Sequence, residues 1–483
     1  MTTRAATRTG MKRIAIIGGG ISGLSAAFYL EQHRREGAQF EYVLLERTQR
    51  FGGVLLTENV DGCLVEAGPD SFLTEKPWAA NLCQKLSIAD QLIGSNDNQR
   101  KTYILSKGRL VPLPEGLMFM APTKILPTLL SPLFSFRTKF RIGQEWFQHP
   151  RAALQDESVA DFVERHYGRE VVERIADPLL SGVYGATANQ LSVRATLPRF
   201  AAMEAKYGSL GRAMLASRRQ AEHSPMLSRS IFTSLRRGMQ QMADVLVARL
   251  PPECLRAGIT IRKLTRHSDS WLLWLQEGTL ERFDSLILAI PAPAAGTLLE
   301  PVDAALASEL RQFAYSSSIT VTLGYQRDSI KLPPGFGFLV PRTEGKNILA
   351  CTFVHNKFPH RAPAHRALLR CFFGGQRAEQ LSSSSDEQLA VLARRELLEI
   401  LNLRATPLFA RVFRWRGAMP QYAVGHLERL ERIDRRRKEL PDLYLAGNAY
   451  QGIGVPDCIR SGMEAARHAA GVDKTVTQVT SVS

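Results

Sequence analysis

Apolar residues recur along this chain with three different rhythms, and each rhythm predicts a different kind of element. Near the start, Ile14-Ala15-Ile16-Ile17 is a short unbroken apolar run that reads as a strand. Ala26, Ala27, Tyr29 and Leu30 follow at helical spacing, and Phe40 to Leu45 reads as the next strand. Residues 156–220 repeat every third or fourth position instead. There Ser158 and Asp161 make a capping-box-like start before Val159, Phe162 and Val163, and Gly168 is placed to end the helix. Val171, Val172, Ile175 and Leu179 share one face, Pro178 marks a bend, and Ser181 to Gly185 reads as a turn. A further helix has Met242, Val245, Leu246 and Leu250 on one face, and strands are expected at 258–261, 271–275 and 283–290. From about 300 to 410 the period is two: Ile319, Val321, Leu323 and Tyr325 oppose Thr320, Thr322 and Gly324. With 336–341, 347–355 and 367–373 this predicts an antiparallel sheet suited to floor a cavity, with Arg370 and Phe372 on one face by parity.

Leu110 to Phe147 follows none of these rhythms. It is apolar, but Pro122, Pro127 and Pro132 interrupt it, and an interior proline costs a helix ~3 kcal/mol, so one long helix is excluded. Lys124, Arg137, Lys139 and Arg141 are interleaved. Two readings stand side by side: a substrate mouth that dips into a membrane face without crossing it, or a buried helical subdomain with solvated charges.

At 483 residues the chain exceeds one ordinary core. Lys plus Arg outnumber Asp plus Glu by 16. That sign fits nucleic acid, anionic lipid headgroups or an acidic small molecule, and with no nucleic-acid motif present nucleic acid is set aside. The six cysteines are scattered without a C-x-x-C pair, which argues for reduced thiols in a cytoplasmic setting and against a disulfide framework or a metal site. Contact with the inner face of the membrane would then be peripheral. Met1 to Met11 lacks an apolar core of its own, and no run of 18 apolar residues predicts a spanning helix.

The first apolar run leads into Gly18, Gly20 and Gly23 at G-x-G-x-x-G spacing. In a dinucleotide-binding βαβ unit the first glycine permits the turn, the second lets a pyrophosphate approach, and the third lets helix and strand pack closely. The diphosphate meets the helix N-terminus. Glu46 ends the second strand about 20 residues past the last glycine, where an acid can hold ribose hydroxyls.

After Glu46 comes Arg47-Thr48-Gln49-Arg50-Phe51-Gly52-Gly53, an Arg-x-Gly-Gly turn in register with the fingerprint. On these motifs the chain resembles the FAD-dependent amine oxidase and desaturase superfamily. The resemblance implies non-covalent FAD held by Gly18, Gly19, Gly20, Ile21, Ser22, Gly23, Glu46, Arg47, Gly52, Gly53 and Val54. It implies that the loop Gly68-Pro69-Asp70-Ser71 lies beside the isoalloxazine, and that Asn448, Ile453, Gly454 and Val455 bring the last helix N-terminus to the ring. The implied fold is α/β. A discontinuous Rossmann-like FAD-binding domain (1–80, 226–298, 413–475) joins an α+β substrate domain with an antiparallel sheet (81–110, 299–412). A helical, membrane-facing subdomain (111–225) and a disordered tail (476–483) complete it.

Three further stretches, Tyr103 to Leu117, Leu332 to Pro341 and Phe413 to Arg429, resemble the oxygen-dependent protoporphyrinogen oxidases and their coproporphyrinogen-oxidising relatives. What this implies is a six-electron oxidation of a porphyrinogen in three flavin cycles, with molecular oxygen as acceptor and hydrogen peroxide released each time. Protoporphyrinogen IX is favoured and coproporphyrinogen III is the alternative. The family's substrate contacts carry over to Phe336, Gly337, Leu339 and Phe372, and Met118 stands where some relatives place an Arg that grips a propionate. Lys101, Arg109, Lys124 and Arg370 are the remaining cationic candidates, and Pro456 departs from a common Asn. No His–Asp or carboxylate pair is arranged as a base, so no catalytic side chain is assigned and the flavin N5 is expected to take hydride.

A single G-x-G-x-x-G argues against a nicotinamide-driven reductase. An amine oxidase would show an aromatic cage near the C-terminal loop, where the local aromatics are Tyr444 and Tyr450. A carotenoid desaturase, or a cationic membrane-surface protein keeping FAD as a relic, are the other readings. A homodimer is left open.

Overall fold

The computed structural model describes residues 10–118, 121–122, 125–151, 155–221 and 230–472. Its first layer is a five-stranded parallel sheet in the order Leu255–Arg256, Phe40–Leu45, Lys12–Ile17, Ser285–Leu288, Leu443–Leu445. Parity along these strands sends Ile14, Ile16, Tyr42, Leu44 and Ile287 to one side. There the helices Ile21–Arg35, Gln240–Arg249 and Val455–Ala469 cover them. Ala15, Ile17, Leu45, Leu286 and Leu288 face the other side. A three-stranded meander (Ile261–His267, Ser270–Leu275, Leu280–Phe283) and the helices Ala292–Leu299 and Ala304–Arg311 pack there. The strand expected at 258–261 begins at Ile261, because Gly258 and Ile259 donate their backbone N–H groups to Thr48 and Glu46.

The second layer is a seven-stranded sheet in the order Phe409–Pro420, Tyr315–Gln326, Arg366–Gly374, Ala350–Phe353, Gly337–Leu339, Thr102–Ser106, Arg109–Pro112. The strands expected at 319–325, 336–341, 347–355 and 367–373 pair antiparallel as predicted, and Thr102–Ser106 extends the sheet by pairing in parallel with Gly337–Leu339. The period-two run predicts its central strand: Ile319, Val321, Leu323 and Tyr325 join the core beneath the helix Asp386–Leu401.

Several expected boundaries fall inside continuous elements. The helix Pro77–Lys85 spans 80/81, the strand Arg109–Pro112 spans 110/111, and Phe409–Pro420 spans 412/413 as one strand of the second sheet. A helical unit has its own core, including Phe162, Val163, Ile175 and Leu210, which also takes in Ile104 of the second sheet. Ser158 caps the helix Val159–Tyr167 by accepting from Asp161 N (3.0 Å), and Gly168 follows it with φ 90°. Ser181 to Tyr184 is the end of the helix Asp177–Tyr184 rather than a turn, and Gly185 closes it in the left-handed conformation. The 110–147 region is part buried and part exposed. Leu133, Phe134 and Ile142 are buried in the helical core, whereas Leu126, Leu130, Phe136, Phe140 and Phe147 point outward, Phe136 with 90% of its surface exposed. Residues 476–483 and Lys124 lie outside the described residues.

Candidate functional site

Two of the three glycines of the first turn are required by what lies against them. A Cβ on Gly18 would sit 2.4 Å from Ala289 O, and one on Gly23 would sit 1.8 Å from Gly18 O. Gly20, the N-cap of the helix Ile21–Arg35, faces open space. No side chain caps that helix and no acid stands in its first turn, so its N-terminal N–H groups and dipole are directed at that space. The structure brings Glu46 and the second glycine pair to the same place. Glu46 accepts from Gly19 N (2.7 Å) and from Thr48 N and Oγ1 (2.8 Å each). Gly52 N donates to Gly19 O (2.8 Å), and a Cβ on Gly53 would lie 3.2 Å from Gly20 Cα. An uncapped helix N-terminus, an open glycine cradle and a carboxylate at the neighbouring strand end fit an adenine dinucleotide. Arg47 is exposed; the arginine folded into this turn is Arg50, which donates to the carbonyls of Phe51, Gly53 and Leu55.

At the other end of the cradle, Asn448 donates to Ala418 O (3.2 Å), and Gly454 caps the helix that Val455 begins. Asp457 in that first turn accepts from Gly454 N (3.3 Å) and pairs with Lys76 Nζ (2.6 Å). It thus partners the N-terminus of that helix while itself being held by a cation. Cys458 beside it is buried, and burial pushes its thiol up to about 12, which makes it inert packing. Two tyrosines distant in sequence also reach this loop. Tyr422 donates to Asn448 O (2.7 Å) and accepts from Gly452 N (2.8 Å), with Tyr184 tilted against it at 5.9 Å. The loop therefore has aromatic neighbours that its local sequence does not show, but Tyr422 is 2% exposed and supports the backbone.

Between these ends lies the loop from Glu66 to Ser71, pressed against Val54, whose carbonyl would lie 2.0 Å from a Cβ on Gly68. Its partners come from the second sheet and the adjoining segment. Ala67 O accepts from Trp415 Nε1 (2.8 Å), Arg370 Nη2 (3.1 Å) and Thr320 Oγ1 (3.4 Å), and Gly68 O accepts from Arg370 Nη2 (2.7 Å). Asp70 pairs with Lys357 at 3.0 Å through both oxygens and accepts from Ser71 Oγ (2.6 Å). Burial would raise the Asp70 carboxyl, yet Lys357 and Arg370 outweigh it and hold it below the usual carboxylate range. Glu66 meets Arg361 at 2.8 Å and accepts from Thr57 Oγ1 and Met239 N. Burial pushes the Glu66 carboxyl up against the pull of Arg361. Lys357 and Arg361 were missed by sequence reasoning; nothing local distinguishes them from surface cations.

The expected substrate residues lie on the sheet beside this loop. Leu339, Ala350, Phe372, Thr320 and Phe413 form one cross-strand row on one face. Leu339, Ala350, Phe372 and Phe413 are only half-buried, in contrast to the sealed opposite face. Gly337 lies in the next row with Thr352 and Arg370, and Phe336 is buried at the strand's start. Met118 is held in a short hairpin opposite Ala121, and its side chain lies outside the described residues. Of the cationic candidates, Arg370 is corrected: its guanidinium is 4% exposed and committed to the carbonyls of the loop, so it cannot reach a propionate. Lys101 is exposed beside Phe336, whose N–H it accepts (2.8 Å), and Arg109 is exposed on the last strand of the sheet.

The model of the family "Flavin containing amine oxidoreductase" matches residues 21–470. A coproporphyrinogen III oxidase of Bacillus subtilis is 33% identical over 94% of this chain and 97% of its own length. A chloroplastic protoporphyrinogen oxidase of Nicotiana tabacum is 28% identical over 94% of this chain and 85% of its own. Among solved structures, an inferred protoporphyrinogen oxidase from Exiguobacterium sp. 255-15 superimposes with a TM-score of 0.85 at 30% identity, covering 96% of this chain and all of the other.

Proposed function

Because the chain belongs to the flavin containing amine oxidoreductase family, we propose that it oxidises a porphyrinogen to the porphyrin, in the haem-forming branch of tetrapyrrole synthesis, with oxygen as final acceptor. The observation that carries this reading is the half-buried apolar row Leu339, Ala350, Phe372 and Phe413, set directly beside the Ala67–Asp70 loop. A broad, largely apolar macrocycle needs such a floor, and a small polar amine does not. FAD is the cofactor, and when bound it supplies a two-electron acceptor that oxygen can restore, so three rounds account for six electrons and three molecules of hydrogen peroxide.

The chain's own residues do the positioning. The apolar row seats the ring and excludes water, and the exposed Lys101, whose backbone lies beside Phe336, is the proposed cation for an acidic side arm. Fixing the reacting carbon within near-attack distance is where most of the rate would come from, since no side chain among the described residues is arranged as a base. Coproporphyrinogen III is the substrate to test first, because it names the Bacillus relative, and protoporphyrinogen IX is the second. Purified yellow protein mixed in air with each should turn fluorescent, fastest with the preferred one. Fluorescence with neither, from protein that holds FAD, would end the reading.

We also place a peripheral lipid contact on the helices Ile125–Leu130 and Phe136–Glu145. Leu126 and Leu130, and Phe136 and Phe140, are exposed pairs at i,i+4 spacing, with Arg137 and Arg141 alongside. An amphipathic basic face of this kind suits an anionic lipid surface. Vesicles containing anionic lipid should co-sediment the protein at low salt and release it at high salt; no binding at any salt would refute the contact.

A further inference from the structure

Arg370 touches both halves of the proposed chemistry. Through one nitrogen it donates to Ala67 O (3.1 Å) and Gly68 O (2.7 Å). Its guanidinium also lies over the ring of Phe372, 4.8 Å from the centroid. Phe372 is two residues along the same strand and belongs to the half-buried apolar row. No carboxylate is within 4.0 Å of Arg370 among the described residues, though Asp70 and Glu66 lie close enough for their fields to oppose the effect of its burial. The charge is therefore spent on backbone carbonyls, and Nε makes no hydrogen bond.

We propose that Arg370 is a positioning residue that couples the seat of the macrocycle on Phe372 to the Ala67–Gly68 backbone, and so sets the register between the reacting carbon and the FAD ring. The inference rests on the porphyrinogen reading above. Its physical basis is the shape of the guanidinium. A planar group presents an edge to two carbonyls and a face to an aromatic ring at the same time, which an ammonium cannot do. Packed interiors transmit displacement instead of absorbing it. A ring pressed onto Phe372 thus acts on Arg370, and Arg370 acts on the loop. Trp415 and Thr320, on strands of the same sheet, also hold Ala67 O, so the loop keeps its place without Arg370 while losing the contact that runs through Phe372.

The test uses the full chain loaded with FAD. It compares wild type, Arg370→Met, Arg370→Lys, Phe372→Leu and the Arg370→Met/Phe372→Leu pair. Anaerobic bleaching of the flavin at saturating porphyrinogen should slow by about 10–100-fold in Arg370→Met, the scale expected for a misplaced reactant. The FAD dissociation constant, and the rate at which oxygen reoxidises the dithionite-reduced protein, should stay at wild-type values. Arg370→Lys should restore only part of the bleaching rate. The double variant should be no slower than Arg370→Met alone, because the two residues act in series. Additive losses, a parallel loss of FAD binding, or unchanged bleaching would each overturn the proposal. If Arg370→Met does not fold, Arg370→Lys decides: slower bleaching with normal reoxidation supports the coupling, and wild-type bleaching refutes it. A wild-type protein that no porphyrinogen bleaches would instead sink the underlying function.

Discussion

Among the described residues, the buried charges at the seam between the sheets and those inside the helical unit are put to different uses. At the seam between the sheets, three cations (Lys357, Arg361, Arg370) face two carboxylates (Glu66, Asp70), and the surplus donors hold loop carbonyls. Inside the helical unit, Glu145, Glu157 and Glu204 surround Arg165 and the fully buried His166. There Glu145 accepts from Ser209 Oγ (2.9 Å) and Leu210 N (2.5 Å), at the N-terminus of the helix Leu210–Ala221. The second cluster satisfies a local helix end and closes on itself. The first reaches across hundreds of residues to fix one loop. Burying charge is expensive in both places. Only at the seam does the arrangement leave positive charge in excess next to a proposed cofactor.

The sharpest way to break this contrast is to remove one partner from each cluster. Arg361→Met strands Glu66 at 3% side-chain exposure. It should cost about 3–5 kcal/mol in urea unfolding, with loss of bound FAD. Glu145→Ala leaves the start of the Leu210–Ala221 helix without its acceptor and should cost about 1–3 kcal/mol with the flavin spectrum unchanged. A flavin lost equally in both variants would erase the distinction.

The pH dependence should also separate them. Burial pulls the His166 pKa down, but Glu145 and Glu204 more than offset it, so its folded value lies above the ordinary 6.5. The Glu204 contact, at 3.3 Å from Nε2, is an ion-pair distance without hydrogen-bond alignment, so Glu145 is the stronger partner. A raised histidine contributes stability that is complete below its unfolded pKa and fades as pH rises through the folded one. Unfolding free energy should therefore fall above pH 6.5 by up to about 1.4 kcal/mol per unit, and His166→Gln should flatten that slope. Asp70 works in the opposite sense: its depressed pKa contributes above 3.8 and is lost only as pH falls through the lower folded value. It adds no slope near neutrality. The smallest effect is expected from Trp415→Phe, which removes one of several donors to Ala67 O and should cost about 0.5–1.5 kcal/mol.

What could be read without coordinates follows the range of the interaction involved. The glycine turn, Glu46, the Ser158 cap and the period-two strand at Ile319–Tyr325 are set by neighbours a few residues away, and their patterns are visible as text. Lys357 and Arg361 meet Asp70 and Glu66 from about 290 residues downstream, and no periodicity records such a meeting. Parity correctly put Arg370 and Phe372 on one face, but it cannot tell a cation aimed at a ligand from one committed to a carbonyl. Tyr184 and Tyr422 show the same limit at the C-terminal loop. The 110–147 region mixes buried and exposed apolar residues on short helices between prolines, so one period could not describe it.

The central claim is that a flavin in the glycine cradle takes electrons from a porphyrinogen lying on the Leu339–Phe372–Phe413 floor. The direct measurement is to mix the purified yellow protein with coproporphyrinogen III or protoporphyrinogen IX under argon and follow absorbance near the flavin band. The account predicts that the yellow colour bleaches as porphyrin appears, and that admitting air restores it. A flavin that stays oxidised with both substrates would contradict it.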